Sequence, residues 1–535
     1  MTPMHSSDQS PSAAWVGLAA VLMLLAGVLG HDPWKPDEAF SFGIVYEYLL
    51  GQHWVIPMLA GEPFMEKPPL YFLSAAWCAR LFSPWLAWHE GARLASVLWS
   101  ALTLMAVWQS ARLIAARPAQ ALLAPMLLAG TLGFFSNTHH LLTDNALFAG
   151  IALSLWGLTL SARGQWGIAG VVLGLGCGVG FMSKGLITPG VIGFSSLSLL
   201  LFKPWRSWGY LRCLVTALLV ASPFLTFWPY QLWQHAPHLF DVWFWENNVG
   251  RFLGRNNLGP TSEPGFYLKT LPWLTFPAGV LALVTLFQQG RTLSRALLPA
   301  LMMLGVMMMV LGQAKQAMSL YAVPTLIPLS ILGAQCRWSS RVEPMLRTVL
   351  VVVFGGLTCG LIGVWLAYLL GQSDIVQLAQ RHAPGFVPAW QWQGWLVAGI
   401  WLLGAVVCYR QYRHVVVAWA LGLAVLQSVL LGLWLPFWDY QKSYRQPFAA
   451  MVQAMHGSSA CVASWQLGEH QRGSLHYFTG IRVQRLELGR GADCPWILVE
   501  GPLLPPQVEG ADLVWTGRRP GDDREQYRLF ARPIP

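Results

Sequence analysis

The sequence predicts a mainly α-helical, polytopic membrane protein with outer interfacial helices and a small C-terminal α/β domain. Hydrophobic residues make up 55% of the 535 positions, and the mean hydropathy is +0.47. Thirteen apolar stretches recur along the chain, most of them near the roughly 17–25 residues that cross a bilayer as a helix. After about residue 439 the chain becomes polar, with short β-like runs between Gly, Pro and Asp.

The apolar stretches alternate with basic connections in a pattern that predicts an orientation. They lie near 13–30, 92–111, 119–137, 146–161, 166–182, 186–202, 211–230, 271–288, 296–312, 319–335, 348–370, 394–409 and 415–437. With a cytoplasmic N-terminus, nearly every inner connection carries Arg or Lys, as the positive-inside rule expects. The pattern predicts a transmembrane domain over 1–438 and an outer domain over 439–535. Because the net charge of +10 is scattered among these connections, it does not indicate nucleic-acid binding.

Two long connections are expected to form structure outside the membrane. The first, 31–90, has helical patterns at Phe40–Leu50 and Pro69–Phe82, which we interpret as interfacial helices. The second, 231–270, is rich in Trp, His and Asn.

The C-terminal region is expected to mix short strands with one helix. The expected elements are strands in Ser458–Trp465, Arg482–Leu488, Trp496–Val499 and Asp512–Thr516 and a helix in Phe448–His456. Cys461 and Cys494 both fall in this region and could pair if it lies outside the cytoplasm.

Cations on the outer side run against the orientation bias, so each needs its own explanation. Snorkelling at the interface explains four of them, Arg80, Arg93, Lys269 and Arg381. A second group lies at helix ends beside Pro, Gly or aromatic residues: Lys67, Lys184, Arg251 and Lys315. These four could converge on an anion at the outer membrane surface, and a lipid phosphate would fit.

Carboxylates accompany these cations on the same side. Asp37 and Glu38 follow Pro36, and Asp144 opens a span. A carboxylate here could accept a proton from a hydroxyl or bind a divalent cation, and capping of a helix N-terminus explains the same residues equally well. The adjacent His139 and His140 are interpreted as solvated residues at the interface.

Three further motifs fall on the predicted outer side of the membrane. Ser183-Lys184-Gly185 confines a cation in a tight turn, and the glycines of 174–180 favour close helix packing. Arg251 offers a planar fork for phosphate oxygens, with an ion pair to Glu246 as the alternative. Tyr321 is either an interfacial aromatic residue or a group that orients a phosphate.

Together these motifs resemble a known family. In order they are Pro36-Asp37-Glu38, Phe64-Met65-Glu66-Lys67-Pro68, Thr143-Asp144, Met182-Ser183-Lys184-Gly185, Phe244-Trp245 with Arg251-Phe252, Leu271-Pro272-Trp273 and Lys315 through Tyr321. The set resembles the polytopic, lipid-phosphate-dependent glycosyltransferases of the C-type membrane fold. Within these it is similar to the bacterial aminoarabinose lipid A transferases and the protein O-mannosyltransferase superfamily.

The resemblance implies an inner-membrane enzyme that transfers a sugar from an undecaprenyl-phosphate carrier to a periplasmic acceptor, with inversion. The acceptor would be lipid A, a glycan or a protein, and the sugar 4-amino-4-deoxy-L-arabinose, mannose or another hexose. Asp37 would activate the acceptor with support from Asp144, while Lys67, Lys184 and Arg251 bind the phosphate.

The resemblance also implies that Glu66, Tyr321 and Lys315 shape the phosphate site. No cofactor is required, and a divalent metal is compatible with Glu38 and Glu66. A lipid or sugar transporter is the alternative from another class, although it predicts charges near the bilayer midplane and repeated halves.

Overall fold

In the part of the chain that the structure describes, the regular structure up to residue 442 is helical apart from one short hairpin, and helices and a sheet follow after it. This is a computed structural model. It describes residues 23–532, apart from 52–53, 116–117, 256–262, 264, 291–293, 315 and 459 and the side chains of 118 and 119.

Within the described residues, seven helices are long and apolar enough to cross a membrane. They are Trp88–Ile114, Asp144–Ala162, Trp166–Lys184, Trp208–His235, Arg295–Gln313, Val342–Leu369 and Trp392–Gln411. Two helix pairs, bent by 90° and 65°, bring the number to nine if each is one span: Phe266–Leu274 with Ala278–Gln289, and Val415–Leu430 with Leu435–Lys442. The chain is a multi-pass membrane protein. The predicted number of thirteen spans is not confirmed, and most of the first one, 13–30, lies outside the described residues.

Several predicted spans are shorter or broken in the structure. The stretch predicted over 119–137 divides into Pro118–Ala121, Leu123–Ala129 and Leu132–Phe135. Pro125 accounts for the first break, because its ring clashes with the carbonyl four residues earlier and it has no N–H to donate. Further short helices are Ile187–Ser198, Pro237–Asp241, Arg251–Leu253, Ser319–Ala322, Leu326–Gly333 and Ser373–His382, with a π-helix at Val242–Gly250.

The helix Asp144–Ala162 is the central element, almost entirely buried among its neighbours. Its close partner is Trp166–Lys184, which carries the glycine run. A Cβ added to Gly150 would lie 2.6 Å from the Gly180 nitrogen, so the two backbones are in direct contact there. The close packing predicted from the glycines is confirmed.

Two helices lie in the first long connection. They span Asp37–Leu49 and Leu70–Phe82, within a few residues of the predicted helices, and a short hairpin of β1 (Met58–Leu59) and β2 (Glu62–Pro63) lies between them. The helices predicted here are confirmed, and their position at a membrane interface stays a prediction.

Arg93 is fully buried, so the prediction that it snorkels at the interface is wrong. Its guanidinium donates to Glu38 Oε1 (2.6 Å) and to the carbonyl oxygens of His31 and Asp32 (both 2.9 Å). Because these partners satisfy the charge and its donors inside the protein, Arg93 fixes the chain that leads into the helix Asp37–Leu49.

His139 is also buried, which contradicts its interpretation as a solvated residue. Its two ring nitrogens lie 3.1 Å from the Phe135 carbonyl oxygen and 2.8 Å from that of Met23. The ring therefore links the described end of the first apolar segment to the segment that precedes Asp144.

The C-terminal region contains a five-stranded mixed sheet. Its strands are β3 (Val462–Trp465), β4 (Gln484–Arg485), β5 (Trp496–Glu500), β6 (Asp512–Gly517) and β7 (Tyr527–Ala531), in the order β4-β3-β5-β7-β6. β3 runs parallel to β4 and β5, whereas β7 is antiparallel to β5 and β6. Helices Arg445–Ala454 and Glu469–Thr479 complete the region.

The small α/β domain predicted here is confirmed, although β7 and the helix Glu469–Thr479 were not predicted. The domain boundary at 438/439 stays a prediction. Cys461 and Cys494 form a disulfide, which the sequence left open.

Ion pairs attach the first long connection to the C-terminal region. Lys35 contacts Asp522 and Glu525 at 2.5 and 2.6 Å. Glu62 contacts Arg472 at 2.6 Å. The helices Asp37–Leu49 and Glu469–Thr479 also pack closely, with a Cβ added at Gly43 only 3.0 Å from the Gly473 Cα. The C-terminal region therefore holds the start of the helix that carries Asp37.

Candidate active site

A cavity of about 470 Å³ lies where several helix ends meet, and six of the predicted site residues line it. These residues are Glu66, Lys67, Asp144, Lys184, Arg251 and Tyr321. Much of the remaining wall is apolar and includes Ile187, Val191, Phe194, Met307 and Leu311. Charge at one end and hydrocarbon along the walls suit a ligand with an anionic head and an apolar tail.

Lys184 and Asp144 form the first ion pair of the cavity. The Lys184 ammonium lies 2.7 and 2.5 Å from the two carboxylate oxygens of Asp144, and both side chains are mostly buried. The pair joins the C-terminal end of one central helix to the N-terminal end of the other. Lys184 also lies 5.8 Å from the centre of the Tyr321 ring, within range of a cation–π contact.

Glu66 holds the other two cations. Its Oε2 accepts a hydrogen bond from Arg251 at 2.9 Å and one from Lys67 at 3.4 Å. Arg251 Nε is buried and has no hydrogen-bond partner among the described residues, so part of the guanidinium is available to a ligand. The alternative of an Arg251–Glu246 pair is not what the structure contains, since the guanidinium pairs with Glu66.

Lys67 carries a charge that its surroundings disfavour. Burial and the nearby Lys184 lower the pKa of Lys67 to about 8, although Glu66 partly compensates. Because an anion that enters the cavity would stabilise the ammonium form, the site is electrostatically suited to a phosphate.

The π-helix Val242–Gly250 positions the cation Arg251, which follows it directly. Asn248 Oδ1 accepts a hydrogen bond from the Leu186 nitrogen at 3.0 Å, and its amide donates to the Trp243 carbonyl at 2.8 Å. Asn247 donates to the Met65 carbonyl at 3.1 Å. These contacts tie the segments around Lys67, Lys184 and Arg251 together.

The two asparagines were not predicted as site residues. The signal available in the sequence was a pair of amides inside an aromatic run just before Arg251. Gly185 makes their approach possible, because it has a φ of +74° and any Cβ there would lie 2.2 Å from Asn248 Oδ1.

Asp37 lies next to this cluster at the start of its helix. Burial raises the pKa of Asp37 above its ordinary value, against the attraction of Lys184. No hydrogen bond or ion pair engages its carboxylate within the described residues, and it makes no capping bond. A half-buried carboxylate with a raised pKa and no fixed partner has the properties of a general base.

Glu38 differs from its neighbour Asp37 in its burial, in its partners and in the direction in which its pKa is shifted. Its side chain is buried, pairs with Arg93, and accepts a hydrogen bond from the Trp34 nitrogen at 3.1 Å. Arg93 lowers the pKa of Glu38 well below its ordinary value, against the effect of burial. Its contacts are those of a structural carboxylate.

Two further predictions concern Lys315 and a possible metal ion. Lys315 lies outside the described residues, so its predicted contact with phosphate stays a prediction. In the described part of the chain, no group of three or more His, Cys, Asp and Glu residues could hold a metal ion. Glu66 and Glu38, the residues named for such a role, both bind arginines.

Comparison with known proteins identifies the fold. A family profile described as dolichyl-phosphate-mannose-protein mannosyltransferase matches residues 66–228. The crystal structure of ArnT from Cupriavidus metallidurans bound to undecaprenyl phosphate superposes with a TM-score of 0.66 at 18% identity, covering 97% of each chain. This chain has the ArnT fold. The predicted resemblance to polytopic, lipid-phosphate-dependent glycosyltransferases is confirmed.

Two curated relatives extend the similarity along the sequence. The undecaprenyl phosphate-alpha-4-amino-4-deoxy-L-arabinose arabinosyl transferase 1 of Sodalis glossinidius is 27% identical over 85% of this chain and 82% of its own. The transferase of the same name, without the numeral, from Serratia proteamaculans is 28% identical over the same shares. Both alignments extend well beyond the 66–228 segment of the family profile.

Proposed function

We propose that the protein is a glycosyltransferase that moves a sugar from an undecaprenyl-phosphate carrier to an acceptor on the outer face of the inner membrane. The observation that carries this proposal is the apolar-walled cavity that holds Lys67, Lys184 and Arg251 at one end, beside Asp37. The names of the relatives favour 4-amino-4-deoxy-L-arabinose as the sugar. Lipid A is the acceptor that follows from the resemblance.

Different residues of the candidate active site have different parts in the proposed sugar transfer. The carrier phosphate would bind Lys67, Lys184 and Arg251, with its polyprenyl chain along the apolar wall. Asp37 would accept the proton of the acceptor hydroxyl as its oxygen attacks the anomeric carbon. The bond between that carbon and the phosphate oxygen breaks on the opposite side, which gives inversion. The cations stabilise the charge that develops on the departing phosphate.

Asp144 has a supporting part in this scheme. Its carboxylate is already bound to Lys184 through both oxygens, whereas Asp37 has no such partner among the described residues. We therefore assign Asp144 the task of orienting Lys184 toward the phosphate. Glu66 does the same for Arg251, and the Tyr321 ring lies beside the Lys184 ammonium.

The proposed topology puts the N-terminus in the cytoplasm and the C-terminal domain in the periplasm. The positive-inside pattern of the connections supports it. The Cys461–Cys494 disulfide supports it too, because disulfides persist mainly in oxidising compartments.

The test is transfer by purified protein from synthetic polyprenyl-phosphate sugars to lipid A. Asp37→Asn is expected to lower turnover by about 100-fold or more while undecaprenyl-phosphate binding is retained, since general bases contribute about that much. Asp374→Asn is the matched control, because Asp374 is an exposed carboxylate. Full transfer by a well-folded Asp37→Asn variant would exclude the assigned base.

The same transfer assay distinguishes the proposed function from its two alternatives, hexose transfer to protein and transport. The match to the mannosyltransferase profile favours transfer of mannose or another hexose to protein as the second candidate. Polyprenyl-phosphate mannose with a peptide acceptor therefore belongs in the donor and acceptor panel. Movement of lipid or sugar across vesicles without any transfer would instead identify a transporter.

A further inference from the structure

Five arginines lie where three helices meet on the predicted inner side of the membrane. The helix ends are the start of Val342–Leu369, the end of Trp392–Gln411 and the start of Val415–Leu430. The first two helices both pack on the third, which brings their inner ends together. We call the arginines the inner arginine cluster, and they are Arg337, Arg341, Arg347, Arg410 and Arg413.

Direct contacts join the two connections that carry the cluster. Arg347 Nη1 donates a hydrogen bond to the Arg413 carbonyl oxygen at 3.1 Å. The ring of His414 lies 3.5 Å from Glu343 Oε1, and its centre is 6.4 Å from that of the Trp338 ring. Residues 337–347 and 409–414 therefore form one surface.

This surface has many cations and few carboxylates. Glu343 is the only acidic residue in 337–347 and 409–414, and its partner is His414. Within the described residues, none of the five arginines forms an ion pair with a carboxylate, and four of them are exposed. An uncompensated patch of this kind attracts an anion.

The cluster differs from arginines in other inner connections. Arg163 donates to the Leu113 carbonyl oxygen at 2.8 Å, and Arg206 donates to that of Leu200 at 2.8 Å. Such arginines satisfy backbone groups at helix ends. In the cluster only Arg347 does so, and the other four guanidinium groups have no hydrogen-bond partner in the described chain. Orientation in the membrane accounts for their side but not for their convergence.

Exposed hydrocarbon adjoins the charged surface. The helices Val342–Leu369 and Trp392–Gln411 expose much of their apolar surface, as in Val352 (67% exposed) and Leu403 (66%). Trp338 and Tyr409 are half-buried beside the arginines, as in the aromatic belts of membrane proteins. Cations above lipid-facing helices suit a ligand that has both an anionic headgroup and acyl chains.

We propose that the inner arginine cluster binds the headgroup of an anionic phospholipid of the inner leaflet. The guanidinium groups would bind the phosphate oxygens, and the acyl chains would lie along the exposed faces of Val342–Leu369 and Trp392–Gln411. The site is on the opposite side of the membrane from the candidate active site and goes beyond the proposed function.

Lipid binding and thermal unfolding of the full-length protein in a neutral detergent test the site. The probes are short-chain phosphatidylglycerol, phosphatidylcholine of the same chain length and inorganic phosphate. Phosphatidylglycerol should bind and raise the unfolding midpoint of the wild type, because a ligand of the folded state stabilises it. The other two probes should leave the midpoint unchanged.

A triple variant removes charge from the cluster. Arg341→Gln/Arg410→Gln/Arg413→Gln should weaken phosphatidylglycerol binding by about tenfold or more, since each basic residue near an anionic headgroup adds to the attraction. Arg341→Lys/Arg410→Lys/Arg413→Lys keeps the charge and should keep most of the affinity. A cooperative unfolding transition without lipid shows that each variant is folded. If the glutamine variant is not folded, Arg410→Gln alone should weaken binding about fivefold.

A matched control carries the same net charge as the glutamine variant. Arg112→Gln/Lys203→Gln/Arg212→Gln removes three exposed cations from other inner connections and should retain the wild-type affinity. An equal loss in both triple variants would overturn the proposal, because the attraction would then come from the inner face as a whole. Equal stabilisation by phosphatidylcholine or by inorganic phosphate would overturn it too. None of these measurements involves sugar transfer, so failure of the proposed function leaves the outcome unaffected.

Discussion

The charged residues close to the membrane fall into two groups that differ in their ion-pair and hydrogen-bond partners. Glu38 and Arg93 satisfy each other inside the protein, together with backbone carbonyls of the preceding segment. Lys67, Lys184 and Arg251 instead share only two carboxylates, Glu66 and Asp144, at the edge of an open cavity. In the proposed function, the surplus of cations over carboxylates in that cavity attracts the carrier phosphate.

The low pKa of Lys67 predicts a pH dependence for carrier binding. Only the ammonium form attracts phosphate, and this form is lost as the pH rises through about 8. Affinity for undecaprenyl phosphate, measured by equilibrium binding, should therefore decline above that pH by at most about tenfold per pH unit. Lys67→Arg should abolish the decline, since a guanidinium remains charged. A decline of the same size in Lys67→Arg would assign the titration to another group.

The neighbours Asp37 and Glu38 mark the limit of inference from sequence at this scale. Both are carboxylates after the same proline, and capping or catalysis suits either one. Glu38 is assigned to structure only because Arg93, distant in sequence, reaches it. For the same reason the sequence predicts that Arg93 snorkels, because its partner Glu38 lies in another part of the chain.

Among the elements, the tight turn after Trp166–Lys184 determines where the cation Lys184 lies. Gly185 ends that helix with φ +74° and ψ −146°, a combination that is strained for any residue with a side chain. The π-helix then contacts the turn through Asn248. Helix end, turn and π-helix thus form one unit around the phosphate end of the cavity.

Gly185→Ala should disturb this unit. The new methyl group would collide with Asn248 Oδ1, and the backbone strain alone costs about 1–3 kcal/mol. We expect a lower thermal midpoint of unfolding and weaker undecaprenyl-phosphate binding, both measured in detergent. Gly193→Ala is the control, because Gly193 lies in the following helix with open space around it. Equal behaviour of the two variants would contradict the role given to the turn.

Elements with a strong local signal were predicted well. The two outer helices, the glycine-rich packing helix and four of the five C-terminal strands follow from periodicity and from turn residues. The bent pairs and the broken 119–137 stretch were not predicted, since mean hydropathy does not report where a helix bends. β7 has no regular alternation to mark it, because the neighbours Leu529 and Phe530 are both buried.

At the scale of the whole molecule, ion pairs join the C-terminal domain to the first outer connection. Lys35 and Glu62 reach across to Asp522, Glu525 and Arg472. The helix that begins at Asp37 therefore depends on the sheet domain for its position. A change that loosens this domain should affect transfer even though it leaves the cavity of the candidate active site untouched.

Removal of the disulfide tests this dependence. Cys461→Ser/Cys494→Ser should lower the stability of the C-terminal domain by about 2–4 kcal/mol and speed its cleavage by added protease. Transfer activity should fall in parallel. Cys359→Ser, at an exposed free cysteine, is the control. Unchanged protease resistance of the double variant under oxidising conditions would contradict the prediction.

The sequence alone determined the membrane class, the helix and strand elements with strong local patterns, and six of the residues that line the cavity of the candidate active site. Hydrophobic length, charge bias and motif order are properties of the chain itself, so they can be read without a structure. Only the tertiary structure decided which charged residues form ion pairs. The pairs Glu38–Arg93, Asp144–Lys184 and Glu66–Arg251 join residues far apart in sequence.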